Sequence, residues 1–376
     1  MDMTIKVLTG ADRVRLRPAV IFGSDDAEGA RCALEMLLSV MVSECRKGYA
    51  TRLSVTRFPD GSLMLEDNGR GIFLGSGSPQ DDQIWKNKFC ELYCGPAYPE
   101  PNREQEFSYF DDPELIPCDE YESEPYGDWD LCAVQYASAF MNVSVWRDGK
   151  LFSLSFEKGV NIGGLSVEPS DLPSGTAIRF RLDEAVFRKV DISDEYLITK
   201  LEQLAILCPG CGFYYRSGKD EKCFCFPQGI PSDTAVYTRQ IAAVGKERYN
   251  RPQYGAKIQV SVGFVKEGAR REIFHNYKSL PLGGPHVEAI LERVADRLTW
   301  QLERRITPAM LESHLCLTVH TTTTKYTCLW DNGTRTRLNS TMITHMAQDC
   351  INDDFTYFVR CHRDEINAMF QPWDEN

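Results

Sequence analysis

The sequence predicts an α+β protein of two domains, and three observations lead to that prediction. Its 376 residues are enough for two domains, at roughly 100–200 residues each. In the first half, a long amphipathic helix is followed by alternating strands around Asp-Gly turns. In the second half, two strands, a long helix and a further strand follow one another, which is the order of a βαβ unit with parallel strands. We expect the domains to span residues 1–225 and 226–376.

In the first domain, Asp25 and Asp26 are candidate N-caps of a helix over residues 28–47, which Gly48 ends. A hairpin follows around Asp60 and Gly61. The remaining elements expected in this domain are helices at 83–93, 133–140 and within 184–207, and strands at 142–146 and 151–156. In the second domain we expect strands at 257–265, 271–277 and 315–320, and helices at 287–302, 341–349 and 356–370.

Composition and charge exclude several classes of protein. The hydrophobic fraction of 43% is typical of a globular chain, and no apolar run reaches the roughly 18 residues of a membrane span. Neither a leader segment nor a membrane partner is expected. We interpret the fourteen scattered cysteines as reduced thiols and predict a cytoplasmic location. The net charge of −12 argues against a generally basic surface for nucleic acid.

The negative charge is concentrated in residues 98–130. This segment holds twelve acidic residues and a single base, Arg103, so it accounts for nearly the whole excess charge. It also contains five prolines. Such a composition predicts an irregular insertion without a packed core of its own.

The motif LEDNGRGI, residues 65–72, is the strongest local signal for a binding site. An apolar strand ends in Asp67, whose carboxylate can accept a hydrogen bond from an exocyclic amine such as that of adenine. Gly69 and Gly71 can take positive φ and let a ligand approach the backbone. By itself the same run is equally consistent with a polar turn.

Four motifs carry a resemblance to a known family. They are IKVLTGADRVRLRPAVIFG at 5–23, LEDNGRGI at 65–72, SGTAIRF at 174–180 and LGGPH at 282–286. In order and spacing they resemble the N-terminal ATPase and transducer region of the DNA gyrase B subunit and of other type II topoisomerase B subunits. The resemblance implies a GHKL-type α/β two-layer sandwich, with 98–130 as a lid-like insertion, followed by a ribosomal-protein-like βαβ transducer domain.

The resemblance also implies a set of nucleotide-binding residues. Asp67 and the Thr176 hydroxyl would recognise the adenine edge, and Glu44 would pair with Arg70 of the glycine turn. A solvated ion pair without a binding role is the other interpretation of Glu44 and Arg70. The positions carried over for cofactor binding are Asp67, Gly69, Arg70, Gly71, Ile72, Thr176, Glu44 and Arg335.

The residues for hydrolysis are changed. Family members carry on the long helix a Glu that activates water and, four residues later, an Asn that binds Mg²⁺. Counted without gaps, those positions are Met36 and Val40, which can serve neither purpose. A shift of one residue would offer Glu35 as the catalytic base and Ser39 as a metal ligand. The ungapped count is preferred because a helix keeps its phase. Hydrolysis is then expected to be lost or very slow, and Mg²⁺ is not an expected cofactor. ATP remains an expected ligand.

The phosphate end of the pocket is changed as well. At the position of the glycine-rich lid the chain reads YGDWDLCAV, residues 126–134, where Asp128 and Asp130 would each repel a phosphate by about 1 kcal/mol or more. Arg335 stands where family members reach the γ-phosphate with a Lys. Its planar fork can bind an anion, or it is an ordinary loop arginine.

Cysteine spacing offers a zinc site as an alternative to a turn. Cys208 and Cys211, together with Cys223 and Cys225, are four thiols that could complete a tetrahedral site. The family has a Pro-Gly turn into a hairpin here, with no metal, and the second pair would then share one strand face. We regard His286 and His314 as structural residues.

Two functions are compatible with these features. The first is a stand-alone, gyrase B-like ATP-binding and transducer module with weak or absent hydrolysis, which needs other topoisomerase-type chains to act on DNA. Family members have a longer N-terminal arm that crosses to the partner subunit. Because the arm is short here, dimerisation is not expected from the resemblance. The second is a non-catalytic regulatory or decoy protein that binds a partner through the acidic segment 98–130. Deleting that segment separates them, since only the second loses its partner.

Overall fold

The computed structural model describes residues 8–78, 82–92, 129–245, 254–275, 278–323 and 337–370. They form two compact units, the first of which ends at Cys225 and the second of which begins at Phe226. The acidic segment lies outside the described residues, except for the backbone of its last two positions. No helix in the described ranges is long and apolar enough to cross a membrane.

The first unit combines an eight-stranded sheet with helices. Its helices are α1 (Gly10–Leu16), α2 (Pro18–Phe22), α3 (Ala27–Arg46), α4 (Asp82–Phe89), α5 (Trp129–Tyr136) and α6 (Asp194–Leu207). Its strands are β1 (Arg52–Arg57), β2 (Leu63–Asp67), β3 (Ser138–Arg147), β4 (Lys150–Glu157), β5 (Val160–Pro169), β6 (Gly175–Leu182), β7 (Gly212–Ser217) and β8 (Asp220–Phe224).

The sheet has the strand order β5-β4-β3-β6-β2-β1-β7-β8. Its pairings are antiparallel except for β1 with β7. Alternate residues such as Leu53, Val55 and Leu65 are fully buried, which gives the sheet one apolar face. The predicted α+β class is therefore confirmed for this unit.

Helix α3 is the long helix that the sequence predicts, and it begins at the predicted cap. The Asp26 carboxylate accepts a hydrogen bond from the Glu28 amide at 3.0 Å. Gly48, with φ of +77°, follows its C-terminal cap Lys47. The predicted apolar face is buried, and it comprises Leu34, Leu37, Leu38, Met41 and Val42.

Two predicted helices have the wrong bounds. The helix expected at 133–140 ends at Tyr136, and β3 begins at Ser138. A short apolar run is ambiguous between helix and strand, and here pairing with β4 and β6 decides in favour of a strand. The helix expected at 356–370 is two helices that meet at His362.

The second unit is a five-stranded sheet packed with helices. Its strands are β9 (Tyr237–Gly245), β10 (Tyr254–Phe264), β11 (Arg271–His275), β12 (Lys278–Ser279) and β13 (Leu315–Thr323), in the order β12-β11-β13-β10-β9. Its helices are α7 (Pro285–Leu302), α8 (Pro308–Leu311), α9 (Thr341–Cys350), α10 (Asp353–Cys361) and α11 (Arg363–Met369). As predicted, β11 and β13 are parallel and α7 lies between them in the chain.

Two histidines of this unit are buried. His275 is 2% exposed and contacts the Thr321 hydroxyl through Nδ1 at 2.9 Å. His286 is 1% exposed, and its Nε2 has no hydrogen-bond partner among the described residues. Burial lowers the pKa of His275 to about 3 and that of His286 to about 4, where the positive charge of Arg337 acts in the same direction. Both rings are therefore neutral at pH 7.

Acidification is expected to destabilise the fold through these rings. Below the unfolded pKa of about 6.5, the unfolded chain binds protons that the folded chain does not bind until much lower pH. Each ring should therefore cost about 1.4 kcal/mol of unfolding free energy per pH unit on descending through that range. Denaturant unfolding of the wild type and of His286→Asn should show a shallower pH slope for the variant. An unchanged slope in His286→Asn would contradict the expectation. His362→Gln, which replaces a histidine near the protein surface, is the matched control.

Candidate nucleotide-binding site

The structure brings Asp67 and Thr176 together. Asp67 ends β2 and is paired in antiparallel register with Thr176 on β6, so both side chains leave the same face of the sheet. The Gly69 amide donates to Asp67 Oδ1 at 2.7 Å, and the Ile72 amide donates to Thr176 Oγ1 at 3.1 Å. The two predicted base-recognising side chains thus also hold the intervening turn in place.

The Asp67 carboxyl group has an altered acidity. Burial raises its pKa to about 7, against the opposing hydrogen bond from the Gly69 amide, and the charge of Glu44 acts in the same direction as burial. Within the described part of the chain, only Oδ1 of this carboxylate accepts a hydrogen bond. Its Oδ2 is therefore available to a donor on a ligand.

The two glycines of the motif are required for different reasons. Gly71 has φ of +78°, and a Cβ there would lie 2.7 Å from the Trp146 carbonyl oxygen. Gly69 does not adopt positive φ, contrary to the expectation, but a Cβ there would lie 2.9 Å from Asp67 Oδ1 and 3.0 Å from Glu44 Oε2. The turn therefore excludes side chains at both positions through its own packing.

Glu44 and Arg70 form a fork-shaped ion pair beside this turn. Arg70 Nη2 lies 2.6 Å from Glu44 Oε1, and Arg70 Nε and its backbone amide donate to Oε2 at 3.1 and 3.2 Å. Burial acts to raise the pKa of Glu44, but the hydrogen bonds from Arg70 outweigh it and hold that pKa below its usual value. The guanidinium also stacks on the Tyr49 ring, 3.6 Å from its centroid.

This ion pair shows which face of α3 lies towards the glycine turn. Met36 and Val40 precede Glu44 by eight and four residues, so they share that face. Glu35 precedes Glu44 by nine residues, about two and a half turns, and therefore leaves the helix on the opposite side.

Glu35 has partners of its own on that opposite side. Its Oε1 lies 2.7 Å from Lys200 Nζ and accepts a hydrogen bond from the Tyr196 hydroxyl at 2.7 Å. Lys200 is only 4% exposed, so the carboxylate compensates a buried charge. The Ser39 hydroxyl donates to the Met36 carbonyl at 2.7 Å. Glu35 thus links α3 to α6, and the shifted Glu35–Ser39 pair does not lie at the Glu44 face.

Sequence reasoning missed one residue of the site. Arg147 Nη1 donates to the Gly71 carbonyl at 2.8 Å, and its guanidinium lies 5.3 Å from the centre of the Phe73 ring. No local pattern indicates this contact, because the two partners are 76 residues apart. The hairpin β3–β4 carries Arg147 to the edge of the glycine turn.

The remaining predicted residues do not form a metal centre in the described ranges. Cys208 and Cys211 are buried, whereas Cys223 and Cys225 are exposed. Among the described residues, no group of three or more His, Cys, Asp or Glu side chains is arranged to hold a metal ion. Arg335 and Asp128 lie outside the described residues.

Comparison with known structures defines the class of fold. The 43K ATPase domain of Thermus thermophilus gyrase B, solved with an aminocoumarin, superposes with a TM-score of 0.71 at 18% identity, covering 96% of this chain and 93% of that one. The B-subunit of the DNA gyrase from Myxococcus xanthus gives a TM-score of 0.68 at 16% identity, covering 96% and 99%. The chain therefore has the GHKL ATPase fold of the gyrase B type.

Sequence comparison gives its relatives. The DNA gyrase B subunit of Thermotoga maritima is 27% identical over 230 residues, which is 60% of this chain and 33% of that protein. The type 2 topoisomerase B subunit of Aquifex aeolicus is 24% identical over 386 residues, 98% of this chain and 46% of that protein. No protein-family model matches. The chain is thus similar to type II topoisomerase B subunits, and it spans less than half the length of either of these two proteins.

Proposed function

We propose that this chain is a topoisomerase B-like module that binds adenine nucleotides and hydrolyses ATP very slowly or not at all. The observation that carries the proposal is the contact of Glu44 with Arg70 and the glycine turn. It sets the phase of α3 such that the positions expected to activate water and bind the metal are Met36 and Val40. The resemblance to gyrase B supplies the roles of those positions.

The base-binding end of the site retains its polar groups. Asp67 offers a carboxylate oxygen to an exocyclic amine, and the Thr176 hydroxyl lies beside it on the neighbouring strand. Arg70, held by Glu44, covers one side of the turn with a planar cation. Together these groups favour a planar, amine-bearing base such as adenine.

The side chains at the metal positions do not fit a magnesium ion. Mg²⁺ takes oxygen ligands in nearly octahedral geometry, and methionine and valine provide none. Ser39 donates its hydroxyl to a backbone carbonyl, and Glu35 is paired with Lys200. The residues at these positions therefore provide no metal-dependent hydrolytic step.

Action on DNA belongs to larger assemblies in this proposal. The B subunits that this chain resembles are about two to three times as long as the stretch that it matches. Residues 226–376 would act as a transducer between the nucleotide site and other topoisomerase-type chains. Cleavage of DNA is not assigned to the residues present here.

ATP turnover by the purified protein tests the proposal. We expect no magnesium-dependent hydrolysis. We expect Glu35→Gln to lower the unfolding free energy by about 1–3 kcal/mol, because Lys200 loses its charged partner, and to leave turnover unchanged. The matched control is Lys200→Met, which breaks the same ion pair but keeps the carboxylate. A magnesium-dependent rate that Glu35→Gln abolishes and Lys200→Met preserves would identify Glu35 as a catalytic base and contradict the proposal.

A further inference from the structure

Tyr49 lies against the ion pair beside the glycine turn, although its ring is half exposed. The central guanidinium carbon of Arg70 lies 3.6 Å from the centre of the Tyr49 ring, which is stacking distance. Tyr49 is 50% exposed, so the ring adds little to the apolar core. The contact with Arg70, and not burial, therefore accounts for the position of the ring.

The backbone holds Tyr49 in this position from two sides. Tyr49 follows the C-terminal end of α3, and its amide donates to the Glu44 carbonyl at 2.9 Å. Two residues later, the Thr51 amide donates to Asn68 Oδ1 at 2.9 Å. Asn68 belongs to the motif LEDNGRGI, as Arg70 does. The segment that carries Tyr49 is thus fastened both to α3 and to the motif, so the ring has little freedom to move away from Arg70.

The Arg70 guanidinium is held in a defined plane. Its Nε and Nη2 donate to the two carboxylate oxygens of Glu44, which fixes the direction of the planar fork. The Tyr49 ring covers one face of the fork and resists tilting of the plane. The Arg70 side chain is 50% exposed, so a ligand can reach its other face. A long side chain without such support samples several rotamers, and ordering it on binding costs affinity.

We propose that Tyr49 is a positioning residue of the nucleotide site, which holds the Arg70 guanidinium flat so that a purine base stacks on its open face. The inference rests on the proposed function, in which Asp67 binds the exocyclic amine at the edge of the same base. Asp67 and Arg70 are three residues apart in one turn, so the edge and the face of one base can meet them together. Planar guanidinium groups stack on aromatic faces. A fused purine covers more of that plane than the single ring of a pyrimidine, which makes purine nucleotides the expected ligand class.

Removing the ring should weaken nucleotide binding without unfolding the protein. Tyr49→Leu keeps an apolar side chain but loses the stacking contact, and we expect it to bind ADP about three- to fivefold more weakly, the value of a cation–π contact at a half-exposed position. Tyr49→Phe keeps the ring and should bind ADP within about twofold of the wild type. Calorimetric titration of the full chain measures both. Denaturant unfolding of the same variants should change little, because the residue is half exposed.

A double-mutant cycle with Arg70 separates a positioning role from a merely structural one. Arg70→Lys keeps a positive charge beside Glu44, so the fold retains its ion pair, but it replaces the planar fork with an ammonium group. In this background Tyr49→Leu should change ADP affinity by less than about twofold, because no plane remains to be held. Tyr357→Leu, which removes an exposed tyrosine from the second unit, is the matched control and should leave ADP affinity unchanged.

The outcomes separate this inference from the proposed function. Equal losses with Tyr49→Leu in the wild-type and Arg70→Lys backgrounds would overturn the positioning role, and so would a loss with Tyr49→Phe as large as that with Tyr49→Leu. ADP binding that Tyr49→Leu leaves unchanged would also overturn it, and the proposed function would stand. Absence of ADP binding by the wild type would instead overturn the proposed function, and this inference with it.

Discussion

Replacing Asp67 with asparagine is expected to reduce adenine nucleotide affinity by roughly 10–100-fold, the value of a hydrogen bond to a charged acceptor. The Gly69 amide would keep the side-chain oxygen, since it donates to Oδ1 at 2.7 Å. The amide NH₂ would then face the exocyclic amine, so two donors would oppose each other. Calorimetric titration with ADP measures the loss.

The same substitution should stabilise the folded protein at about pH 8. Burial raises the pKa of Asp67 to about 7, so its ionised form costs stability above that pH and this cost disappears as the pH falls. Asparagine removes a buried charge, which we expect to add about 1–2 kcal/mol to the unfolding free energy. Weaker binding together with greater stability distinguishes a ligand-binding acid from a structural one.

Glu66→Gln is the matched control, because Glu66 lies on the same strand with its side chain on the other face, beside the Ser54 hydroxyl. It should leave nucleotide affinity unchanged. Wild-type affinity should also decrease as the pH falls below 7, and the Asp67→Asn variant should lack this dependence. An Asp67→Asn variant that binds ADP as well as the wild type would refute the assignment of Asp67.

Gly71→Ala is expected to be the most destabilising single change at the site, by about 2–4 kcal/mol or with loss of folding. Alanine would have to adopt φ of +78°, and its Cβ would lie 2.7 Å from the Trp146 carbonyl oxygen and 2.9 Å from Val145 Cγ1. Both neighbours belong to β3, so relief requires the turn to move away from the sheet. Thermal and denaturant unfolding measure the loss.

Gly61→Ala separates the backbone cost from the steric cost. Gly61 has the same φ of +78°, but nothing lies within 4 Å of a Cβ at that position. We therefore expect it to lose only about 1 kcal/mol, the cost of the backbone conformation alone. Equal losses in the two variants would show that the contact with β3 contributes nothing.

The parts of the fold that were predicted from sequence carry local signals. Asp26 caps α3 because its carboxylate reaches the Glu28 amide two residues later, and the Asp60-Gly61 turn joins adjacent strands. The parallel pairing of β11 with β13 follows from the order strand, helix, strand. The short motif LEDNGRGI indicated Asp67 as a binding residue. The strand register that places Asp67 opposite Thr176 depends on how β2 and β6 pair in the sheet.

The parts that were not predicted depend on contacts between distant residues. Residues 138–140 are a strand only because β4 and β6 pair with them. Glu35 is an ordinary helix residue in the sequence, and its role follows from Lys200, which lies far along the chain on α6. Local patterns contain no information on such pairs.

The central claim is that the site keeps its base-binding residues but lacks the metal ligands. The most direct test is calorimetric titration with a non-hydrolysable ATP analogue, with ADP and with adenosine, each with and without Mg²⁺. Asp67 and Thr176 are assigned to recognition of the adenine base, and the side chains of Met36 and Val40 provide no metal ligand. We therefore expect that all three ligands bind, that Mg²⁺ changes no affinity by more than about threefold, and that Asp67→Asn weakens all three alike. A tightening of more than about tenfold with Mg²⁺, confined to the triphosphate, would contradict this assignment.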